Sequence, residues 1–268
     1  MCARTEEALN HLRSIVDVHP KVAVILGSGL SSIAKRYRIL QEIDYETIPG
    51  FPRSSVEGHA GRMVFAGAGS GYVVIFQGRF HYYEGYSDKE MLLPLLLLKK
   101  LGVEKLIITN ASGGLNPLFN PGDIMIIDDQ INLLSNPLIG NFNIEPMIYR
   151  KHPEPVYNKE MTGKLKEIAS AVQIPVKNGI YIGVPGPVYE TKAEYTYYRK
   201  IGGDAIGMST TSEAITARHL NIKCSGMSVI TNCYFNDTAT SHEEVQEVAG
   251  KAEKNLSVLI GRLVEEVV

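Results

Sequence analysis

Two rhythms of apolar residues run along this chain. Short runs dense in Val, Ile and other apolar residues occupy 22–26, 63–66, 72–76, 106–109, 124–127, 180–184 and 224–231, and each has the length of a strand. Several are apolar at nearly every position, which requires cover on both faces, as in the central sheet of an α/β protein. Between them, helical patterns span 5–16, 87–101, 159–172, 191–201, 211–220 and 242–267. The last is preceded by Ser241 with Glu244 three residues on, a reciprocal capping pair that starts a helix. The alternation predicts an α/β fold. No repeat, low-complexity tract or linker interrupts it, so residues 1–268 read as a single domain. The loosest stretch, 135–157, is rich in Pro and Asn, and long irregular loops in such domains often serve function.

At 268 residues and 44% hydrophobic, the chain can bury a substantial core. Lys and Arg number 27 against 29 Asp and Glu, a balance that attracts no polyanion, so nucleic acid is not the expected partner. Cys2, Cys224 and Cys233 are too scattered for a metal set or a disulfide framework, which suits a reducing compartment. The N-terminal segment carries Glu6 and Glu7 and lacks the basic and apolar blocks of a secretion signal. The most apolar run, 91–98, is far shorter than the roughly 20 residues of a membrane span. A cytoplasmic protein, away from membranes, is expected.

Candidate chemistry collects at the ends of the predicted strands, where α/β sheets bind ligands. Gly27, Ser28 and Gly29 follow the first run; glycines here let backbone amides approach an anion, and Ser28 adds a hydroxyl, although a plain tight turn uses the same residues. The pattern is neither a P-loop nor a dinucleotide fingerprint. Arg79, His81 and Tyr83 stand at alternate positions after 72–76, so an extended segment points all three one way. Arg offers phosphate a fork of donors and His adds another, while a solvated loop with one surface Arg is the bland reading.

Asn110 to Gly114 end the run 106–109 with small residues whose exposed backbone amides suit a second side of an anion site, although alone a turn without a ligand is the favoured reading. Glu190 precedes a helix whose dipole favours its charged form; as a carboxylate it only accepts, which suits the N–H donors of a base. Met208, Ser209, Thr210, Thr211 and Ser212 lead into another helix and offer hydroxyls and backbone amides to an anion, although capping alone would explain such hydroxyls. Asn232 follows 224–231 and can both donate and accept, while His242 sits in the first turn of the final helix. Singly, each is more often structural. Together they point to a small molecule that carries or uses phosphate, with neither a metal set nor a G-x-S-x-G nucleophile.

In order along the chain, 25–30 (ILGSGL), 58–62 (GHAGR), 77–86 (QGRFHYYEGY), 109–116 (TNASGGLN), 186–194 (GPVYETKAE), 207–213 (GMSTTSE), 230–232 (ITN) and 242–245 (HEEV) resemble the trimeric purine nucleoside phosphorylases from end to end. The resemblance implies a central mixed, twisted sheet flanked by helices in a homotrimer. It implies phosphorolysis of purine ribo- and 2′-deoxyribonucleosides, chiefly inosine and guanosine, in purine salvage. Inorganic phosphate is then a co-substrate, with no metal or organic cofactor. Carried over by position, phosphate falls to Ser28, Arg79, His81, the backbone of Ala111, and Ser209, with His59 at the mouth of that site. The sugar falls to Tyr83, Met208 and His242, the last at the 5′-hydroxyl. The base falls to Glu190 and Asn232, with Tyr189 on its face. Asn232, Glu190 and His81 are the groups expected to act in the reaction, Asn232 by hydrogen-bonding the purine around N7 and O6 as negative charge grows there.

Some positions depart from the family pattern. Tyr189 stands where Phe is usual, Thr211 and Ser212 replace Val-Pro, and Ser31 and Ser32 replace a glycine pair. After Asn136 and Pro137 the family carries an aromatic that reaches a neighbouring subunit's sugar pocket; here Phe142 and Tyr149 are the candidates, and the sequence does not choose. A methylthioadenosine phosphorylase of the same fold acts on a 6-amino purine and typically places Asp where Asn232 stands. A xanthosine phosphorylase and a non-catalytic nucleoside-binding protein are further alternatives. Glu190 favours 6-oxopurines, because hypoxanthine offers an N1–H whereas adenine offers an acceptor there. Asn232 can turn its amide, so it should discriminate less.

Overall fold

In β1 (Val22–Leu26) every residue is buried, and alternate side chains enter two different cores, as the period of a strand requires. The computed structural model describes residues 2–54, 59–140, 155–234 and 241–268, with Cys2 and His242 described by backbone alone. Along the chain the elements are α1 (Cys2–Ile15), β1, β2 (Arg38–Asp44), β3 (Arg62–Ala68), β4 (Gly71–Gln77), α2 (Asp88–Lys100), β5 (Lys105–Gly114), β6 (Ile124–Asn132), α3 (Lys159–Ala171), β7 (Lys177–Gly183), α4 (Lys192–Lys200), β8 (Ala205–Gly207), α5 (Thr211–His219), β9 (Lys223–Cys233) and α6 (His242–Val267). The helices fall where the periodicity predicts them. Ser241 and Glu244 form the expected reciprocal cap of α6.

The strands form one sheet in the order β2-β3-β4-β1-β5-β8-β7-β6-β9, and β5 pairs with β9 as well. The sheet is mixed: β1 runs parallel to β4 and β5, whereas β8 is antiparallel to β5 and β6 to β9. Ala23 and Ile25 of β1 share one core with Leu12 of α1, Ala214 of α5 and the leucines of α2. Val22, Val24 and Leu26 share the other with Leu165 of α3 and Leu256 and Leu259 of α6. Helices thus cover both faces, and the apolar run 91–98 is consumed by packing. Each fully buried Leu or Ile contributes about 1.5–3 kcal/mol by leaving water. No described helix is long and apolar enough to cross a membrane.

Two strands go beyond the apolar runs. β2 reads RILQEID with Ile43 alone buried, as an edge strand that shows water most of its surface. β8 has three residues. One correction concerns the site: Asn110 to Gly114 do not form a turn. β5 runs on to Gly114, paired with β9 on one side and β8 on the other, with an irregularity between Ser112 and Gly113. Small residues let three strands lie this close: a Cβ on Gly114 would come within 3.0 Å of Cys233 Sγ.

Candidate functional site

The carboxyl ends of β1, β4, β5 and β9 converge on an open cleft of about 670 Å³. Two glycines shape its wall. A Cβ on Gly27 would sit 2.7 Å from Asn110 Cα, so the ends of β1 and β5 approach closely only because position 27 has none. Gly78 takes φ +112° against His59, a left-handed turn that sends Arg79 inward. Ser28, Arg79, His81, Tyr83, Ala111, Tyr189, Glu190, Met208, Ser209 and Asn232 all line the cleft. Arg79, His81 and Tyr83 meet there through a short 3-10 turn, Tyr82–Glu84, instead of an extended segment.

One end of the cleft is rich in donors. Arg79 is 3% exposed; its Nε donates to Glu213 at 3.0 Å, and one terminal nitrogen donates to Thr109 O at 2.7 Å and to Ser209 Oγ at 3.3 Å. The other terminal nitrogen, Nη2, is buried without a hydrogen-bond partner among the described residues. His81 pairs with Glu84 through Nδ1 at 3.1 Å and stacks on Tyr83 with ring centroids 4.8 Å apart. His59 stands behind Ser28, its Nε2 3.0 Å from Ser28 Oγ, and stacks on His81 at 5.6 Å. Burial first, then the charges of His81 and Arg79, pull His59 down from 6.5 to about 3, so it is neutral near pH 7. The backbone N–H of Arg79 points at Nδ1 at 3.2 Å. Nδ1 is equally 3.2 Å from the carbonyl oxygen of Arg79 and from Ser54 Oγ, so the ring is held on both sides and its Nε2 is fixed against Ser28.

The hydroxyls before α5 are not caps. Thr210 occupies the cap position with φ +74° and makes no capping bond. Its Oγ1 instead accepts from Asn110 Nδ2 at 2.8 Å, Ser228 Oγ donates to Asn110 Oδ1 at 2.5 Å, and Ser112 and Ser228 are 2.6 Å apart. A β-branched residue at positive φ stores roughly 1–3 kcal/mol of strain. The buried network holds it there, and Ser209 faces Arg79 as a result.

At the other end, Glu190 immediately precedes Thr191, the cap of α4. Loss of solvent raises its carboxyl above the usual range, outweighing the hydrogen bonds that lower it. Tyr195 of α4 lines the same end of the cleft as Glu190 and Asn232, and burial first, then the Glu190 charge, pushes its phenol above the usual range. Sequence reasoning passed over Tyr195, Ile206 and Val245, all of which line the cleft. Tyr189 is 43% exposed at the rim. Met208 lies against Gly186, where a Cβ would overlap its Sδ. The side chain of His242, and Phe142 and Tyr149, lie outside the described residues.

With this geometry in hand, residues 21–265 match the model of the phosphorylase superfamily. The chain is similar to purine nucleoside phosphorylase 1 of Bacillus subtilis, 40% identical over 98% of each chain. Among solved structures it is similar to Schistosoma purine nucleoside phosphorylase in complex with hypoxanthine, with TM-score 0.91 and 31% identity over 99% of this chain and 98% of that one. It is also similar to the Schistosoma mansoni enzyme in complex with adenosine, with TM-score 0.89, 31% identity and the same coverage.

Proposed function

Because this chain belongs to the purine nucleoside phosphorylases, within the phosphorylase superfamily, we propose that it cleaves chiefly inosine and guanosine, and their 2′-deoxy forms, with inorganic phosphate. The observation that carries the reading is one cleft with two chemically distinct ends. At one, Arg79 keeps a buried nitrogen with no partner among the described residues, beside Ser28, His81 and Ser209; at the other, Glu190 and Asn232 present a carboxylate and an amide, with Tyr195 beside them. Leaving a buried donor unmet costs about 1–3 kcal/mol, which an anion there would relieve.

In this account phosphate sits on Arg79, Ser28, His81, Ser209 and the Ala111 backbone, with His59 orienting Ser28 from behind. The sugar lies against Tyr83 and Met208. Glu190 accepts from N1–H, and from the 2-amino group of guanine, while Tyr189 covers the base. A phosphate oxygen bonds to C1′ as the C1′–N9 bond breaks, and its electron pair passes to the purine. Asn232 hydrogen-bonds the purine around N7 and O6 and steadies that charge, a device worth roughly 3–4 kcal/mol in preorganised sites. The reading requires no metal or organic cofactor, and it places a homotrimer in the cytoplasm. Initial rates on inosine, guanosine and adenosine at saturating phosphate test it. Inosine and guanosine should be preferred; equal rates on adenosine would overturn the specificity.

A further inference from the structure

Thr210 lies between β8 and α5, and its backbone takes φ +74° and ψ −50°. The Thr211 N–H donates to Ser209 O at 2.8 Å, which closes a γ-turn of the strained kind. A β-branched residue keeps such a turn only where its surroundings hold it. Thr210 is fully buried, and its Oγ1 accepts from Asn110 Nδ2 at 2.8 Å and lies 3.2 Å from Ser209 Oγ. Asn110 is 1% exposed and has both ends of its amide engaged, because Ser228 Oγ donates to Oδ1 at 2.5 Å. Ser228 has thereby given its one hydrogen, so Ser112, 2.6 Å away, donates to Ser228. The chain runs one way, from Ser112 through Ser228 and Asn110 to Thr210. Thr210 still has a hydrogen to give, and Ser209 Oγ is its acceptor among the described residues. Ser209 Oγ also accepts from Arg79 at 3.3 Å. Both its lone pairs are then taken, and its own hydrogen is left for the cleft, which Ser209 lines.

We propose that Thr210 and Asn110 are positioning residues of the phosphate end: they hold the γ-turn and its hydroxyl chain so that Ser209 offers its hydrogen to an oxyanion in the cleft. The inference rests on reading Ser209 as a phosphate contact. Neither positioning residue has to touch the anion. Asn110 spends its amide on Thr210 and Ser228, and Thr210 sits behind Ser209. An oxyanion only accepts, so a serine whose hydrogen was committed to Thr210 would meet it with a lone pair.

Thr210→Val keeps the side-chain shape and removes the hydroxyl, and Ser209→Ala removes the group through which it acts. The measurements are phosphate KM, inosine KM and kcat for wild type, both single variants, the double variant and Thr210→Ser, with thermal melts to follow folding. Thr210→Val should raise the phosphate KM about tenfold, the worth of one hydrogen-bonded link, and leave the inosine KM within about twofold. Thr210→Ser restores a hydroxyl and should bring the phosphate KM back to within about threefold of wild type. In the Ser209→Ala background, Thr210→Val should change the phosphate KM by less than about twofold, because residues that act through one group are not additive. Asn110→Ala breaks the same chain from its other side and carries the same expectations where Thr210→Val does not fold. A phosphate KM unchanged or lowered in Thr210→Val overturns the proposal. So do effects of Thr210→Val and Ser209→Ala that multiply, or equal rises in phosphate and inosine KM, which a merely structural residue would give. If Ser209→Ala itself leaves the phosphate KM unmoved, the reading of Ser209 fails and takes this proposal with it; a rise in Ser209→Ala but not in Thr210→Val removes the proposal alone.

Discussion

Glu213 accepts a hydrogen bond from Arg79 Nε at 3.0 Å, and the two side chains are only 9% and 3% exposed. The pair fixes the guanidinium plane, so that one terminal nitrogen serves Thr109 and Ser209 while the other has no partner among the described residues. Lysine keeps the charge but cannot reproduce a planar fork. Arg79→Lys should therefore raise the phosphate KM roughly 10- to 100-fold while changing the nucleoside KM only a few-fold. Arg79→Ala, which strands a buried carboxylate, should in addition lower stability by about 3–5 kcal/mol in urea unfolding. A phosphate KM that stays put in Arg79→Lys would remove Arg79 from the phosphate site.

His59 supplies a pH signature. Its folded-state value, about 3, lies below the ordinary 6.5. Between those values the unfolded chain binds a proton that the folded chain refuses, so stability is complete above about 6.5 and falls as pH drops toward 3. Over pH 7 to 5 the loss from this one group is about 2 kcal/mol. Urea midpoints of wild type and His59→Gln across that range should converge toward low pH. Parallel curves would contradict the assignment of a buried neutral imidazole behind Ser28.

Glu190 and Asn232 divide the work at the base. Sites that rely on buried hydrogen bonds can reject a mismatched analogue by factors on the order of 10⁴. Glu190→Ala should weaken both base binding and rate on inosine. Asn232→Asp should depress inosine turnover and relatively favour adenosine. Steady-state kinetics on both nucleosides read this out; inosine kinetics unaltered in Glu190→Ala would dismantle the base site as drawn.

Much of this was legible from patterning. β1 and the helices followed from apolar spacing and from capping pairs such as Ser241 with Glu244. β2 escaped because an edge strand with one buried residue leaves no apolar run. Asn110 to Gly114 looked like a turn because small residues serve turns and crowded strands equally, and only the neighbours β8 and β9 decide between them. Tyr195 escaped because its position fits an ordinary amphipathic helix. Its one signal was an aromatic hydroxyl a single turn beyond the cap Thr191, close to Glu190. The helix start beside Glu190 is visible in sequence, whereas the burial that raises its carboxyl is not.

Assembly is a separate expectation. A homotrimer whose active sites borrow a side chain from the neighbour should lose activity on dilution in step with dissociation. Sedimentation and assays at matched concentrations read this out. A fully active monomer would exclude it.

The most direct measurement follows base release from inosine with and without inorganic phosphate. The cluster of Ser28, Arg79, His81 and Ser209 predicts that hypoxanthine appears only when phosphate is present, with ribose 1-phosphate formed in equal amount. Release at the same rate in phosphate-free buffer, with free ribose as the product, would mean that water is the nucleophile and would contradict the account.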